Sequence, residues 1–313
     1  MSRTEPKRRG HARQAFIGAA GAGAVFAGIF AAASAPAGAE AGAAGVPEAP
    51  IVFAADLEGT GGTDLYTVSG TGGPERIAAT EGNAGEPAWS PGRGEIAFTD
   101  DADGPTDLYS VGAEGGEPRR ITEDLTEQGG PTWAPDGERI AYSDDAPRRP
   151  PEESGIHVRT GDGEPVQLTA GGRDPDWNGG SQIAYAGTDG DEDTLYLVPA
   201  DGGDPQFLAE FPGGEVVGPD WHPDGVRMLF WEKTASGEAR LTVAGRDAGD
   251  PRAVFGTGAA VGGASWSPSG DLIAFAMDGP DGNGIYLLDA EDPGTPEKAV
   301  DLPGSEPVDL DWS

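Results

Sequence analysis

The chain has 313 residues, a formal net charge of −34 and no cysteine. A body this acidic repels phosphate, so the composition excludes nucleic-acid binding by counterion release and disfavours contact with anionic membranes. Without cysteine, disulfides, thiolate catalysis and cysteine-ligated zinc are excluded as well.

Residues 1–39 have the layout of a bacterial export signal. A basic stretch at 7–13 precedes an uncharged segment rich in alanine and glycine at 15–35, and the Ala-Gly-Ala of 37–39 offers a cleavage site. Two adjacent arginines leave both general secretion and the twin-arginine route open. The alternative is an uncleaved membrane anchor, although alanine and glycine give weak membrane affinity. Residues 40–49 are predicted to form a short flexible linker.

The rest of the chain consists of a repeat marked by tryptophans that are 44 to 46 residues apart: Trp89, Trp133, Trp177, Trp221, Trp266 and Trp312. After the tryptophan the sequence predicts a tight turn, a short apolar strand, a polar loop and a third strand of aromatic and β-branched residues. A proline opens the fourth segment in every copy: Pro74, Pro118, Pro165, Pro205, Pro251 and Pro296. Because proline cannot donate to a ladder, this segment is predicted to be the edge strand.

Four strands in each of six repeats predict an all-β fold, a six-bladed β-propeller over residues 50–313. Blades arranged around an axis bury one another's apolar faces and shelter their edges. The first repeat begins with its second strand at Ile51, and Trp312 belongs to a first strand without successors. We therefore expect the C-terminal strand to close the ring by pairing with the N-terminal strands. We also expect a monomer.

The Trp-Ser-Pro-Asp-Gly-like turns, Ile-Ala-Phe strands, Gly-Gly-x-Pro turns and Ile-Thr pairs resemble the TolB-type, WD-like β-propeller repeat. TolB proteins have six blades, lie outside the cytoplasmic membrane and bind a lipoprotein through the propeller. The resemblance therefore implies an extracytoplasmic binding module. TolB also carries an α/β domain ahead of its propeller, whereas here only the linker separates the export segment from the repeats, so the identity of the TolB partner is not carried over.

Catalytic motifs are sparse. Similar repeats form the propeller of prolyl-oligopeptidase-type peptidases, but the Gly-x-Ser-x-Gly elbow of their hydrolase domain does not occur in this sequence. His157 stands where sister repeats have tyrosine and is expected to be a packing residue, whereas His222, in a Pro-Asp-Gly turn, is expected to be solvated. Two histidines in such different contexts do not predict a metal site.

Asp189, Asp191 and Asp193 alternate as in the first part of a calcium loop. A full loop would require glycine at its sixth position and glutamate at its twelfth, where this chain has Thr194 and Ala200. Aspartates are ordinary turn residues, so these three remain weak calcium candidates and no cofactor is expected.

Because strands within a blade alternate in direction, the loops divide between two faces. The face that carries the second-to-third and fourth-to-first connections has loops of variable length and composition, and such loops commonly carry binding sites. The candidate partner-binding residues there are Trp231, Arg148, Arg149 and Phe211. If exposed, Trp231 would be an aromatic anchor, and local packing is the alternative. The two arginines are expected to pair with neighbouring acids.

These patterns favour a non-enzymatic scaffold that binds a protein or a cell-envelope component. Its expected location is extracytoplasmic, whether periplasmic, cell-wall-associated or secreted, with membrane contact only through an uncleaved signal segment. The alternatives are a carboxylate- or metal-dependent enzyme acting on glycans or esters, and a sensor domain for a small molecule. An ordered metal or a deep polar pocket in the propeller channel would favour these alternatives.

Export is predicted to end with cleavage after Ala39, because small residues occupy the two positions that signal peptidase requires. N-terminal sequencing of the exported protein should therefore give a chain that begins at Glu40. A membrane-bound chain that still begins at Ser2 would instead indicate an anchor.

Overall fold

The computed structural model describes residues 46–70, 72–123, 125–145, 153–189, 192–211 and 214–312. The predicted export segment and most of the predicted linker lie outside the described residues. The described chain forms 24 strands in six four-stranded antiparallel sheets, which we call blades I to VI.

The strands of blades II to VI follow chain order from the innermost to the outermost, whereas blade I takes its innermost strand from the C-terminus. Blade I contains β24 (Leu310–Asp311), β1 (Val46–Ala55), β2 (Asp64–Gly70) and β3 (Glu75–Ala78). Blade II contains β4 (Gly85–Trp89), β5 (Glu95–Asp100), β6 (Asp107–Gly112) and β7 (Arg119–Arg120), and blade III contains β8 (Glu127–Trp133), β9 (Arg139–Asp145), β10 (Gly155–Thr160) and β11 (Val166–Gln167). Blade IV contains β12 (Arg173–Trp177), β13 (Gln182–Asp189), β14 (Glu192–Pro199) and β15 (Gln206–Phe211). Blade V contains β16 (Gly214–Trp221), β17 (Arg227–Thr234), β18 (Ala239–Gly245) and β19 (Arg252–Thr257), and blade VI contains β20 (Val261–Trp266), β21 (Leu272–Gly279), β22 (Gly282–Asp289) and β23 (Glu297–Asp301). The six-bladed all-β fold predicted from the repeat is confirmed.

Within the blades, the second and third strands carry stacked aromatic rings. Phe53 lies 5.8 Å from Tyr66 between ring centroids, and Tyr185 lies 5.4 Å from Tyr196. In blade III the same position holds His157, which stacks on Tyr142 at 5.9 Å and 24°. The predicted packing role of His157 is therefore confirmed.

The apolar core lies between the blades, and each junction contains its own buried cluster. At the junction of blades I and II, Leu65 packs in one cluster with Trp89. The smallest buried cluster among the described residues joins blades II and III and contains Ala97, Leu108, Ile140 and Tyr142. Since each blade buries its faces on its neighbours, no blade has a complete core of its own.

A set of hydrogen bonds joins the innermost strands around the ring. The backbone N–H of a repeat tryptophan donates to the side chain that precedes the tryptophan of the previous blade. The pairs are Trp89 to Asp311 Oδ2 (2.7 Å), Trp177 to Thr132 Oγ1 (3.2 Å), Trp221 to Asp176 Oδ2 (2.6 Å), Trp266 to Asp220 Oδ2 (2.8 Å) and Trp312 to Ser265 Oγ (3.2 Å). Between blades II and III the corresponding residue is Ala88, and there Glu86 Oε2 accepts from the N–H of Gly130 at 2.8 Å. We call these contacts the inner ring.

The C-terminal strand closes the propeller as predicted. In the antiparallel pairing of β24 with β1, Leu310 lies opposite Phe53 and Asp311 opposite Val52. The side chain of Trp312 is fully buried, and its Nε1 donates to the carbonyl of Ala49 at 3.0 Å. Because β1 begins at Val46, the strand includes the last residues of the predicted linker.

Replacing Trp312 with alanine should reduce the free energy of unfolding by about 3–5 kcal/mol, because it empties a fully buried site at the closing junction. Deleting residues 309–313 should go further and leave an open chain that aggregates. Urea unfolding measures the first effect and light scattering the second. Phe207→Ala, at a ring that is 52% exposed, is the control, and equal losses in the two point variants would contradict closure by β24.

Candidate binding face

The loops divide between two faces because successive strands of each blade run in opposite directions. The variable-loop face carries the connections between the second and third strands and those that lead from an outermost strand to the next blade. Among the connections that the structure describes in full, the length varies from residues 56–63 between β1 and β2 to two residues between β21 and β22. The opposite face carries the turns that follow each tryptophan, and we call it the short-turn face.

Carboxylates order the loops of the variable-loop face. Asp56 accepts hydrogen bonds from the backbone N–H groups of Thr60 and Gly61, each at 2.9 Å. These bonds, above all that from Gly61, lower the pKa of Asp56. Asp101 Oδ1 accepts from the N–H of Asn83 at 2.7 Å. This bond joins the loop before β4 to the loop after β5. The loops therefore present a pre-ordered surface.

Basic side chains of the described residues that extend toward the variable-loop face are held by acids. Arg173 Nη2 lies 2.6 Å from Asp193 Oδ2, and Arg76 Nη1 lies 2.9 Å from Glu58 Oε1. Further ion pairs involve Arg120, Lys233, Arg240 and Lys298. Since these cations are already paired, the acids in excess determine the charge that the face offers to a partner.

The innermost strands bring further carboxylates to the axis of the ring. Asp176 Oδ1 accepts from Thr132 Oγ1 at 3.0 Å, while its Oδ2 belongs to the inner ring. Burial raises the pKa of Asp176 to about 7, and the charge of Asp311 adds to the effect. Burial also raises the pKa of Asp220 well above its usual value, with contributions from Asp176 and Asp311. Sequence analysis missed these buried aspartates of the inner ring, although Asp, Thr or Ser precedes the tryptophan in five repeats.

A pocket of about 320 Å³ opens on the variable-loop face between the β21–β22 hairpin and the segment that leads to β24. It is lined by Ala260, Asp278, Asn283, Pro303, Gly304, Ser305, Glu306 and Pro307. The pocket combines residues from one hairpin and two connections, which sequence reasoning did not bring together.

The structure corrects the interpretation of Trp231 as an exposed anchor. Its side chain is only 2% exposed, and it packs edge-on against Phe275 of the next blade at 5.8 Å. Since β17 continues to Thr234, Trp231 lies within the strand, opposite Leu241, and not in a loop. The exposure that an anchor requires is therefore missing.

Of the other three candidate contact residues, the structure describes only Phe211. Phe211 is half-buried at the end of β15 and packs edge-on against Phe230 at 5.3 Å. Arg148 and Arg149 lie outside the described residues.

Of the three alternating aspartates, Asp189 is the last residue of β13 and Asp193 lies in β14, which begins at Glu192. Asp193 accepts from Arg173 Nη2 at 2.6 Å and from the N–H of Val216 at 3.0 Å, so it serves as an ion-pair and hydrogen-bond partner. Asp191 and the side chain of Asp189 lie outside the described residues. Within the described part of the chain, no three His, Asp or Glu residues form a group that could hold a metal ion.

His222 is buried, contrary to the expectation of a solvated residue. Its side chain is 7% exposed and lies edge-on against Trp266 at 4.6 Å. Nδ1 accepts from the N–H of Asp224 at 2.9 Å, and Nε2 lies 3.1 Å from the carbonyl of Gly270. The reason is that the turn of blade V packs against the turn of blade VI, so the ring fills the space between them.

No family model matches the chain, and a comparison with curated proteins likewise found no match. Solved structures do match. A putative TolB from Agrobacterium tumefaciens is 20% identical with a TM-score of 0.58, over 70% of this chain and 87% of that one. TolB from Acinetobacter baumannii is 14% identical with a TM-score of 0.68, over 84% of this chain and 66% of that one. The fold of the propeller is similar to that of these TolB structures.

An oligogalacturonate lyase from Vibrio parahaemolyticus also matches, with 14% identity and a TM-score of 0.55, over 82% of this chain and 76% of that one. At such identities these similarities establish the fold alone. In the described residues no helix is long and apolar enough to cross a membrane.

The buried aspartates of the inner ring, Asp176 and Asp220, should make the propeller less stable as the pH rises. A carboxyl whose pKa is raised in the folded state binds a proton that the unfolded chain releases, so stability falls as the pH passes from the unfolded value to the folded one. For Asp176, with a pKa of about 7, the free energy of unfolding should fall by about 2–3 kcal/mol between pH 5 and pH 8. Urea unfolding across this range measures the fall.

The variant Asp176→Asn should flatten this pH dependence. Asp162→Asn is the control, because it removes one charge from a side chain that is 98% exposed. Equal flattening in both variants would show that general charge repulsion, and not the buried carboxyl, is responsible.

Proposed function

We propose that the chain is an exported propeller scaffold. Its variable-loop face binds a protein partner, and the partner carries basic side chains. The observation that carries the proposal is the charge of this face, where arginines and lysines are already paired with acids. The carboxylates in excess remain available to a partner, and complementary charge speeds association and selects partners. The export segment predicted at residues 1–39 supports a location outside the cytoplasm.

We also propose that the propeller binds and does not catalyse. Its described histidines are both occupied in packing, His157 against Tyr142 and His222 against Trp266. Asp176 and Asp220 hold neighbouring blades together through the inner ring. These two histidines and two aspartates, which could serve acid–base chemistry, thus have structural roles. The similarity to a lyase concerns the fold, and function depends on the site.

Site-specific photo-cross-linking in the source cells tests the proposal. Leu125, 84% exposed between β7 and β8, represents the variable-loop face, and Val226, 56% exposed before β17, represents the short-turn face. A photoreactive amino acid at position 125 should give a discrete adduct with an extracytoplasmic protein. The same group at position 226 should give none or far less.

Each variant replaces an exposed apolar residue, so neither substitution should disturb the core. Equal melting temperatures of the two variants would verify this. Equal adducts from both faces, or adducts with cytoplasmic proteins alone, would contradict the proposal. Absence of any adduct at position 125 would do so too.

A further inference from the structure

We propose that β24, the strand that closes the ring, is a pH-sensitive latch. While the carboxyl groups at the axis hold protons, β24 stays docked against β1. When these groups ionise, the strand is released and the other blades stay folded. The inference does not depend on the proposed function, because it concerns how the ring opens and not what the ring binds.

The latch is the shortest of the innermost strands. It contains only Leu310 and Asp311, whereas the other five innermost strands contain five to eight residues. Those strands also continue through a turn into the second strand of the same blade, but β24 meets β1 through hydrogen bonds and packing alone. The fully buried side chain of Trp312 is its main apolar contact. A strand held in this way can open locally before the whole ring unfolds.

The latch brings two carboxylates to the axis, and blade IV brings two more. Asp309 and Asp311 stand three and one residues before their tryptophan, as Asp174 and Asp176 do in blade IV. With six blades in a ring, blade IV lies across the axis from blade I. The charge of Asp174 acts on Asp309, and that of Asp311 acts on Asp176 and on Asp220 of blade V. Since like charges repel, ionisation of these groups opposes docking of the strand.

A single hydroxyl serves two of these carboxylates. Ser265 Oγ lies 3.2 Å from Asp311 Oδ1 and also hydrogen-bonds with Asp220. The same oxygen accepts from the N–H of Trp312 at 3.2 Å. A hydroxyl carries one proton, so it cannot donate fully to both carboxylates. A further proton on either carboxyl group supplies a second donor and removes one charge, which favours the docked strand.

The elements packed against the latch bring no base to it. β24 packs against β1, β4 and β20. The side chains of β20 and the described side chains of β1 include no ionisable group. β4 contributes Glu86, whose Oε2 accepts from the N–H of Gly130 at 2.8 Å. The carboxyl groups that repel the latch therefore belong to blades IV and V, across the axis.

Bases do not neutralise these axial acids. On blade IV, Arg173 is shared by three carboxylates: Asp174 Oδ2 at 3.8 Å, Asp193 Oδ2 at 2.6 Å and Glu215 Oε1 at 4.0 Å. Among the described residues, no lysine or arginine forms an ion pair with Asp176, Asp220 or Asp309. Protons are therefore the cations that relieve the repulsion at the axis.

The direction of the pH dependence follows from the pKa values. Asp309 is accessible to water but is enclosed by the inner strands, and this enclosure raises its pKa to about 6, with a contribution from Asp174. The pKa of Asp176 is about 7. A group whose pKa is raised in the docked state binds its proton more tightly there than in the released state. Docking is therefore strongest below about pH 4, the pKa of an ordinary aspartate, and weakens as the pH rises through 6 and 7.

Hydrogen exchange of the full chain, followed by NMR at pH 5 and pH 8, tests the inference. Two amides report on the latch: the N–H of Ala54, which lies 3.4 Å from the Asp309 carbonyl, and the N–H of Trp312. The amides of β13 and β14 report on the rest of the ring. After correction for intrinsic exchange rates, the latch amides should lose at least about tenfold more protection than those of β13 and β14. Equal losses would show global destabilisation and overturn the inference, as would unchanged protection of the latch.

Two variants test the pair of acids across the axis. Asp309→Asn and Asp174→Asn should each reduce the pH-dependent loss of latch protection at least about threefold. Asp174→Asn is the sharper test because it leaves β24 unaltered, and asparagine tolerates the φ of 49° at this position. Glu306→Gln is the matched control, because it removes an exposed carboxylate from the segment that leads into β24. An equal reduction in the control would show general charge repulsion and overturn the latch, and so would an unchanged pH dependence in both axial variants.

Discussion

The structure depends on satisfying the backbone of the innermost strands. Each of these strands is an edge, and the N–H of its tryptophan points away from its own blade. A buried N–H must be paired, so the previous blade supplies an acceptor from the residue before its own tryptophan. The acceptors are Asp, Thr and Ser, whose short side chains reach across one inter-blade gap. Because the last of these bonds joins Trp312 to Ser265, the ring is complete only when the C-terminal strand is in place.

The junction of blades II and III joins its innermost strands by a different contact, because the usual residue is missing. Ala88 offers no side-chain acceptor, and Glu86 reaches the N–H of Gly130 from the bulge two residues earlier. Glu86 has φ 45°, and the corresponding residues of blades III, IV and V, namely Gly130, Asp174 and Gly218, are left-handed as well, so this conformation belongs to the repeat. The same junction has the smallest apolar cluster, and it buries polar groups such as Gln128 and Asp144. Hydrogen bonding there replaces part of the apolar packing.

The sequence was sufficient for the fold because tryptophan spacing, turn residues and strand patterns repeat six times, and a repeated signal outweighs local ambiguity. It left open whether Trp231 is an exposed anchor or packs locally, because this aromatic was judged without its sister positions, such as Ala54, Ala186 and Ala276, which are buried strand residues. His222 was misjudged because the contact that buries it, with Trp266, comes from the neighbouring blade. The pocket depends on a hairpin and a turn that meet only in three dimensions, and sequence gives no such distances.

Charge affects both the stability of the ring and its binding of the proposed partner. The carboxylates that join the blades lie where burial raises their pKa values, and the loops add ionised acids at one face. This arrangement favours solubility but makes the folded ring repel itself. A partner that brings basic side chains to the variable-loop face would relieve part of the repulsion in the folded state only. By mass action, such binding stabilises the folded ring. As ionic strength falls, the self-repulsion of the free ring and its affinity for a basic partner should both increase, so the stabilisation that the partner supplies should grow.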